Sequence, residues 1–214
     1  LDRFKDMTRL GDGVFTSRRL SDQAMMRGLE VIRNLVTLAR NKGYERIEGV
    51  ATSAVREARN GGEFLDHVAQ QTGLTVRVIT GAEEARLIFL GVQNSVALPE
   101  PPTLVIDIGG GSVEVIVGNR ETIYQARSLK LGAIRLKDLY LTKTPPSKAM
   151  LHELEDAVTG QLKQALGTYK TKRVEQIIAT SGMAGNLAEV IYLQRTGRPL
   201  QQLNLTKISA KEIG

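Results

Sequence analysis

Apolar positions along the chain recur with two periods, and the switches between them mark the elements. Behind Ser21, the residues Met25, Leu29, Ile32, Val36 and Ala39 fall at helical spacing, which predicts a helix that Asn41 and Gly43 stop. Ahead of it, the stretch from Arg3 to Leu10 reads as a strand closed by a Gly-Asp-Gly turn. A strand at Ile47 to Ala51, a helix near Glu63 to Thr72, a strand at Thr75 to Ile79 and a helix from Ala82 to about Ser95 follow in alternation. This is an α/β pattern with parallel strands. Leu98-Pro99-Glu100-Pro101-Pro102 then interrupts it, and three prolines in five positions suit a stiff connector, which predicts a boundary between residues 1–98 and 99–214. Beyond it come strands at Thr103 to Ile108, Ser112 to Val117 and Thr122 to Leu129, a helix from Ala133 to Leu141 and a longer one from Ser147. A strand at Val174 to Ala179 leads through Thr180-Ser181-Gly182 into a helix at Met183 to Gln194. Ser209-Ala210-Lys211-Glu212 has the spacing of a capping box and announces one more helix.

The most informative segment is Asp107-Ile108-Gly109-Gly110-Gly111-Ser112-Val113-Glu114, a glycine loop between two apolar strands. Glycines have no side chain to block approach and reach backbone angles closed to other residues, so their N–H groups can converge on an anion. Asp107 interrupts a buried strand, and a carboxylate there is costly unless it meets a cation or several donors, which points to a hydrated metal. Period-two alternation puts Val113, Val115 and Val117 on one face and Glu114 beside Ile116 on the other. The loop has neither Walker A nor Rossmann spacing, and a strand rather than a helix follows it; taken alone it reads equally as a tight hairpin.

Composition narrows the partners. With 214 residues and 42% hydrophobic content the chain can bury real cores, and no apolar run is long enough to cross a bilayer. It has no cysteine, hence neither disulfides nor thiolate metal sites, which together with the absence of an export signal fits a cytoplasmic setting. The net charge of +6 favours an anionic partner. Its basic residues are scattered, with Arg18-Arg19 and Lys170, Lys172, Arg173 the nearest to clusters, and aromatics make up only 4%. A polyanionic phosphate substrate therefore explains the charge better than specific nucleic acid or a membrane does. A homodimer is an open alternative for the assembly.

Five blocks in order carry a resemblance: Gly49-Val50-Ala51-Thr52-Ser53-Ala54-Val55-Arg56-Glu57-Ala58, residues Val78 to Ile88, the Asp107 to Glu114 loop, residues Ser128 to Leu136, and Ala179-Thr180-Ser181-Gly182. Together they resemble the exopolyphosphatase and guanosine pentaphosphate phosphohydrolase family of the actin, Hsp70 and sugar-kinase superfamily. The resemblance implies a two-lobed actin-like (ribonuclease H-like) α/β fold with the substrate between the lobes. It also implies that the family's first phosphate loop would precede Leu1 and its last strand and helix would follow Gly214. The chain then looks like the middle of a larger enzyme, with little activity by itself.

By the same resemblance Glu84 matches the glutamate that handles the attacking water. Asp107 implies a role in holding Mg²⁺ or another divalent cation, and Glu114 shares that task or orients the water. Gly109, Gly110, Gly111 and Ser112 would donate backbone N–H groups to phosphate, and Arg56 matches a phosphate-contacting arginine. Thr180, Ser181 and Gly182 lie where a strand meets a helix N-terminus, a natural anion site. Glu83 falls in a T-x-x-E capping box and reads as structural. Lys130 and Arg135 flank a recurring family block, yet either reads equally as surface charge, and His67 and His152 read as ordinary helix positions. The implied activity is hydrolysis of the terminal phosphoanhydride of inorganic polyphosphate, with guanosine pentaphosphate as the alternative substrate and a non-catalytic sensor of a phosphorylated signal as a further reading. An ATP-driven chaperone or filament protein is disfavoured, because the Thr80 to Ile88 block and Ser112-Val113-Glu114 follow the phosphatase pattern.

Overall fold

The hydroxyl of Ser21 accepts the N–H of Ala24 and opens the first long helix, and the stripe behind it turns Ala24, Gly28 and Val36 inward. The computed structural model describes residues 4–167 and 174–213. In chain order the elements are α1 (Val14–Ser17), α2 (Asp22–Asn41), β1 (Gly49–Ala51), α3 (Ser53–Glu57), α4 (Gly61–Thr72), β2 (Val76–Val78), α5 (Gly81–Ser95), β3 (Thr103–Ile108), β4 (Val113–Gly118), β5 (Ile123–Leu129), α6 (Ala133–Tyr140), α7 (Lys148–Leu166), β6 (Gln176–Thr180), α8 (Ser181–Thr196) and α9 (Ala210–Ile213). One arm of the C-terminal capping box forms: Glu212 accepts from the Ser209 N–H, and also from the Ser209 hydroxyl, which together hold its carboxyl down to about 2.

Two expectations change. Residues 4–9 are not a strand, and Phe4 and Met7 are 56% and 71% exposed; among the described residues no strand lies beside them to take up their N–H and C=O groups. The short helices α1 and α3, of 4 and 5 residues, are unforeseen, because neither is long enough to show a helical period. The Lys170, Lys172, Arg173 cluster lies outside the described residues.

β1 and β2 form a parallel pair, and β5-β4-β3-β6 form a four-stranded sheet in which β3 runs antiparallel to β4 and parallel to β6. β4 is buried at all six positions, so its two sets of side chains both meet a layer. Val105 and Ile116 pack with Ala85, Phe89 and Val92 of α5, and Val113 and Val115 pack with Leu136 of α6 and Val158, Leu162 and Leu166 of α7. Leu98 of the proline connector is buried in the α5 cluster, which ties the connector to the larger sheet. A second core gathers Val14, Phe15, Leu20, Val55, Phe64 and Val68 around α1, α3 and α4. Among the described residues no helix is long and apolar enough to cross a membrane.

Candidate active site

Strand register builds the site. Asp107 pairs with Glu114 across β3 and β4, Glu114 pairs with Ser128 of β5, and Asp107 pairs with Thr180 of β6. Four polar residues thus form one rung across the sheet, on the face that α5 covers, at the carboxyl ends of the parallel strands β3 and β6. Ligands of open α/β sheets bind at such ends. The Ser128 hydroxyl donates to Glu114 at 2.6 Å, and the Thr180 hydroxyl donates to Asp107. Glu114 is only 1% exposed. Burial raises the proton affinity of its carboxyl most, and the charges of Glu84 and then Asp107 add to that rise, while hydrogen bonds from Ser128 and Ser112 oppose it. The three acids therefore share one electrostatic neighbourhood.

The glycine loop is a two-residue reversal at Gly110 and Gly111, closed by the Gly109 N–H donating to the Ser112 carbonyl at 3.0 Å. Gly109 therefore does not offer its N–H to a ligand in this structure, contrary to expectation. The other three N–H groups are aimed by what holds their carbonyls. The Gly109 carbonyl accepts from the N–H of Ala133, and the Gly110 carbonyl accepts from those of Ile134 and Arg135, all in the first turn of α6. The Gly111 carbonyl accepts from the Arg135 side chain at 2.6 Å. A trans peptide turns its C=O and N–H in opposite directions, so the N–H groups of Gly110, Gly111 and Ser112 point away from α6. Among the described residues these three meet no acceptor. They form a nest of the kind that receives an anion.

The glycines are there for space rather than for unusual backbone angles, since none of the three has a positive φ. A Cβ on Gly111 would stand 2.3 Å from Ser53 Oγ and 2.4 Å from the Phe15 ring, and one on Gly132 would stand 2.3 Å from the backbone of Gly111.

Glu84 lies in the first turn of α5, whose N-terminus Thr80 caps by accepting the Glu83 N–H. Glu83 does not complete the expected box; its carboxylate pairs with Arg77 at 2.6 Å. Glu84 faces inward instead, 3.2 Å from Arg56 Nη1, and the same nitrogen donates to the Ile79 carbonyl at 2.7 Å. Gly81 lets this helix start against β5, because a Cβ there would fall 2.5 Å from that of Ser128. Arg56 and Glu84 thus join the rung of acids. At the start of α8, the Thr180 hydroxyl proton goes to Asp107 and that of Ser181 to the Ile108 carbonyl, while Ser181 takes a φ of 85°. Both hydroxyls are already engaged, and Gly182 lies beside Lys5, whose Nζ would be 3.0 Å from a Cβ there.

A family model described as the Ppx/GppA phosphatase family matches residues 1–213. The chain belongs to that family. Among solved Ppx/GppA-type structures, an exopolyphosphatase from Cytophaga hutchinsonii is 31% identical with a TM-score of 0.82, over 94% of this chain and 64% of that one. An exopolyphosphatase-like protein is also 31% identical, with a TM-score of 0.81 over 87% and 59% of the two chains. The Ppx/GppA enzyme of Aquifex aeolicus gives 31% identity and a TM-score of 0.68 over 87% and 60%. The chain spans less than two thirds of the length of each of these solved relatives. Its mixed α/β fold is that of these Ppx/GppA-type relatives, as the resemblance implied.

Within this Ppx/GppA chain, packing decides between the two readings that the sequence left open for Arg135. It is not surface charge: the residue is 4% exposed, and its side chain stacks 4.1 Å from the centre of the Phe15 ring and pairs with Glu57. Its place at the third position of a helix that begins against the glycine loop was the available signal. Lys130 is exposed, as are His67 on α4 and His152 on α7. Among the described residues no three carboxylates or histidines stand close enough to hold a metal by themselves.

Proposed function

We propose that the site removes the terminal phosphoryl group of inorganic polyphosphate by direct attack of water. The single observation that carries this reading is the nest of three free N–H groups set beside Glu84, Asp107, Glu114 and Arg56, on one face of the sheet. Donors fixed before substrate arrives stabilise charge that develops on the phosphoryl oxygens without reorganising. Arg56 spends one nitrogen on Glu84 and Ile79, and the rest of its fork spreads over those oxygens. Glu84 takes the proton of the attacking water as the new P–O bond forms. The anhydride P–O bond breaks, and its electron pair leaves on the shortened chain.

A divalent cation fits the donor set. Asp107 gives one oxygen to Thr180 and keeps the other for ligation, and Mg²⁺ commonly takes one or two protein carboxylates with the remainder from water and phosphate. Mg²⁺ when bound neutralises charge on the phosphate oxygens. Asp107 would hold it, with Glu114 beside it. In the two-lobe reading residues 1–98 and 99–214 flank the phosphate chain; the two separate sheets support it, while α5 and Leu98 of the first part pack on the larger sheet of the second. The net charge of +6 and the exopolyphosphatases among the relatives support polyphosphate as the substrate. Phosphate release by the full-length protein, measured side by side with long polyphosphate, guanosine pentaphosphate and ATP, tests this. Polyphosphate should be preferred; preference for guanosine pentaphosphate would reassign the substrate, and binding without release from any of them would make the protein a sensor.

A further inference from the structure

We propose that Arg135 and Glu57 are a positioning pair that sets the Ser112 N–H toward the phosphoryl group and ties the glycine loop to the helix carrying Arg56. The inference rests on the functional reading above and adds two residues to it. Three carbonyls of the loop are held from the α6 side, but by different means. Backbone N–H groups hold those of Gly109 and Gly110, and a guanidinium nitrogen of Arg135 holds that of Gly111. Hydrogen bonds from a charged donor are about twice as strong as neutral ones, and a peptide whose carbonyl is so engaged donates more strongly through its own N–H. The Gly111–Ser112 peptide is therefore the one most polarised toward the nest, and its N–H belongs to Ser112.

A guanidinium this buried needs a counter-charge, and Glu57 supplies it. Arg18 and Lys130 also approach Glu57, at 3.5 and 3.7 Å, but their side chains are 51% and 65% exposed and screened by solvent. Phe15 closes the other side of Arg135 and also limits the space at Gly111. Glu57 follows Arg56 directly in α3. One short helix thus presents a cation to Glu84 and an anion to the residue that holds the loop. Displacing Glu57 would disturb the relative placement of Arg56 and the nest without removing either.

The test compares the full-length protein with its Glu57→Gln and Arg135→Lys variants, their double variant and the control Arg18→Gln. One arm measures phosphate release from polyphosphate, and another follows the amide signals of Gly110 and Ser112 by NMR as tripolyphosphate is added. Each single variant should lower kcat by about 10-fold or more with a smaller change in KM, since the Ser112 donor acts on developing charge. The double variant should be no slower than the worse single, and Arg18→Gln should match the parent. Tripolyphosphate should shift the Ser112 amide less in Glu57→Gln than in the parent, while the Gly110 amide, whose peptide carbonyl Ala133 holds, should respond alike in both. Additive losses, unchanged kcat, or equal weakening of both amides would overturn the pairing. The NMR arm on Glu57→Gln decides the matter if Arg135→Lys fails to fold. A parent that neither binds tripolyphosphate nor releases phosphate would instead refute the functional reading itself, and the pairing with it.

Discussion

Adding one methyl group to the glycine loop should disable the site. In Gly111→Ala the new Cβ would stand 2.3 Å from Ser53 Oγ, 2.4 Å from Phe15 Cζ and 2.9 Å from Phe15 Cε1. Carbon contacts settle at about 3.5–4.0 Å, so the loop or its neighbours must yield by roughly 1 Å on two sides. Neither side yields cheaply. Phe15 is buried in the core around α1 and lies against Arg135, and Ser53 is buried in the first turn of α3. Overpacking of this kind costs about 1–3 kcal/mol. A shift of about 1 Å in the donors can cost about 10²-fold in rate. Urea denaturation should therefore show a loss of about 1–3 kcal/mol, and polyphosphate hydrolysis should fall about 10²-fold. Gly91→Ala in α5 is the control: its Cβ meets nothing within 4 Å, and the change should stabilise by about 0.5–1 kcal/mol. A Gly111→Ala variant with parental stability and turnover would refute both the packing argument and the nest.

Stability should depend on pH through Glu114. Its proton affinity is raised on folding, so the folded state binds more protons than the unfolded chain from about pH 4.5 up to the raised value, and this contribution to stability is lost as pH rises through that range. Urea titrations of parent and Glu114→Gln across the range should show the variant gaining on the parent as pH increases; a constant difference would contradict the assignment. Asp107→Asn should weaken turnover and raise the Mg²⁺ concentration needed for half-maximal rate, because a ligand charge is lost. An unchanged Mg²⁺ dependence in a kinetic titration would remove Asp107 from the cation site.

Much of this site could be read before any coordinates. A two-residue turn at Gly110–Gly111 fixes the hairpin register, so the residues three before and three after it, Asp107 and Glu114, must face each other. Alternation then sets both opposite Val113 and Val115, on the face where Ile116 meets α5. Contacts between segments far apart in the chain stayed hidden. Arg135 reaches Glu57 across 78 positions and lies against Phe15, and no local pattern announces either meeting. The two short helices were missed for the opposite reason, since four or five residues carry too few periods to register. Nor does the string Gly109-Gly110-Gly111 reveal that one of its N–H groups closes the turn while the next two stay open; that follows from which carbonyls α6 engages.

Hydrolysis at the nest turns on Glu84 as the base for water attack. The decisive measurement is polyphosphate hydrolysis in ¹⁸O-enriched water by the protein and by Glu84→Gln, with the released orthophosphate weighed by mass spectrometry and polyphosphate binding checked in parallel. Direct attack on the terminal phosphorus puts one solvent oxygen into the orthophosphate of the first turnover, and release should be at least about 10²-fold slower in a variant that binds nearly as well. First-turnover orthophosphate without solvent oxygen, or equal rates at saturating substrate, would contradict it.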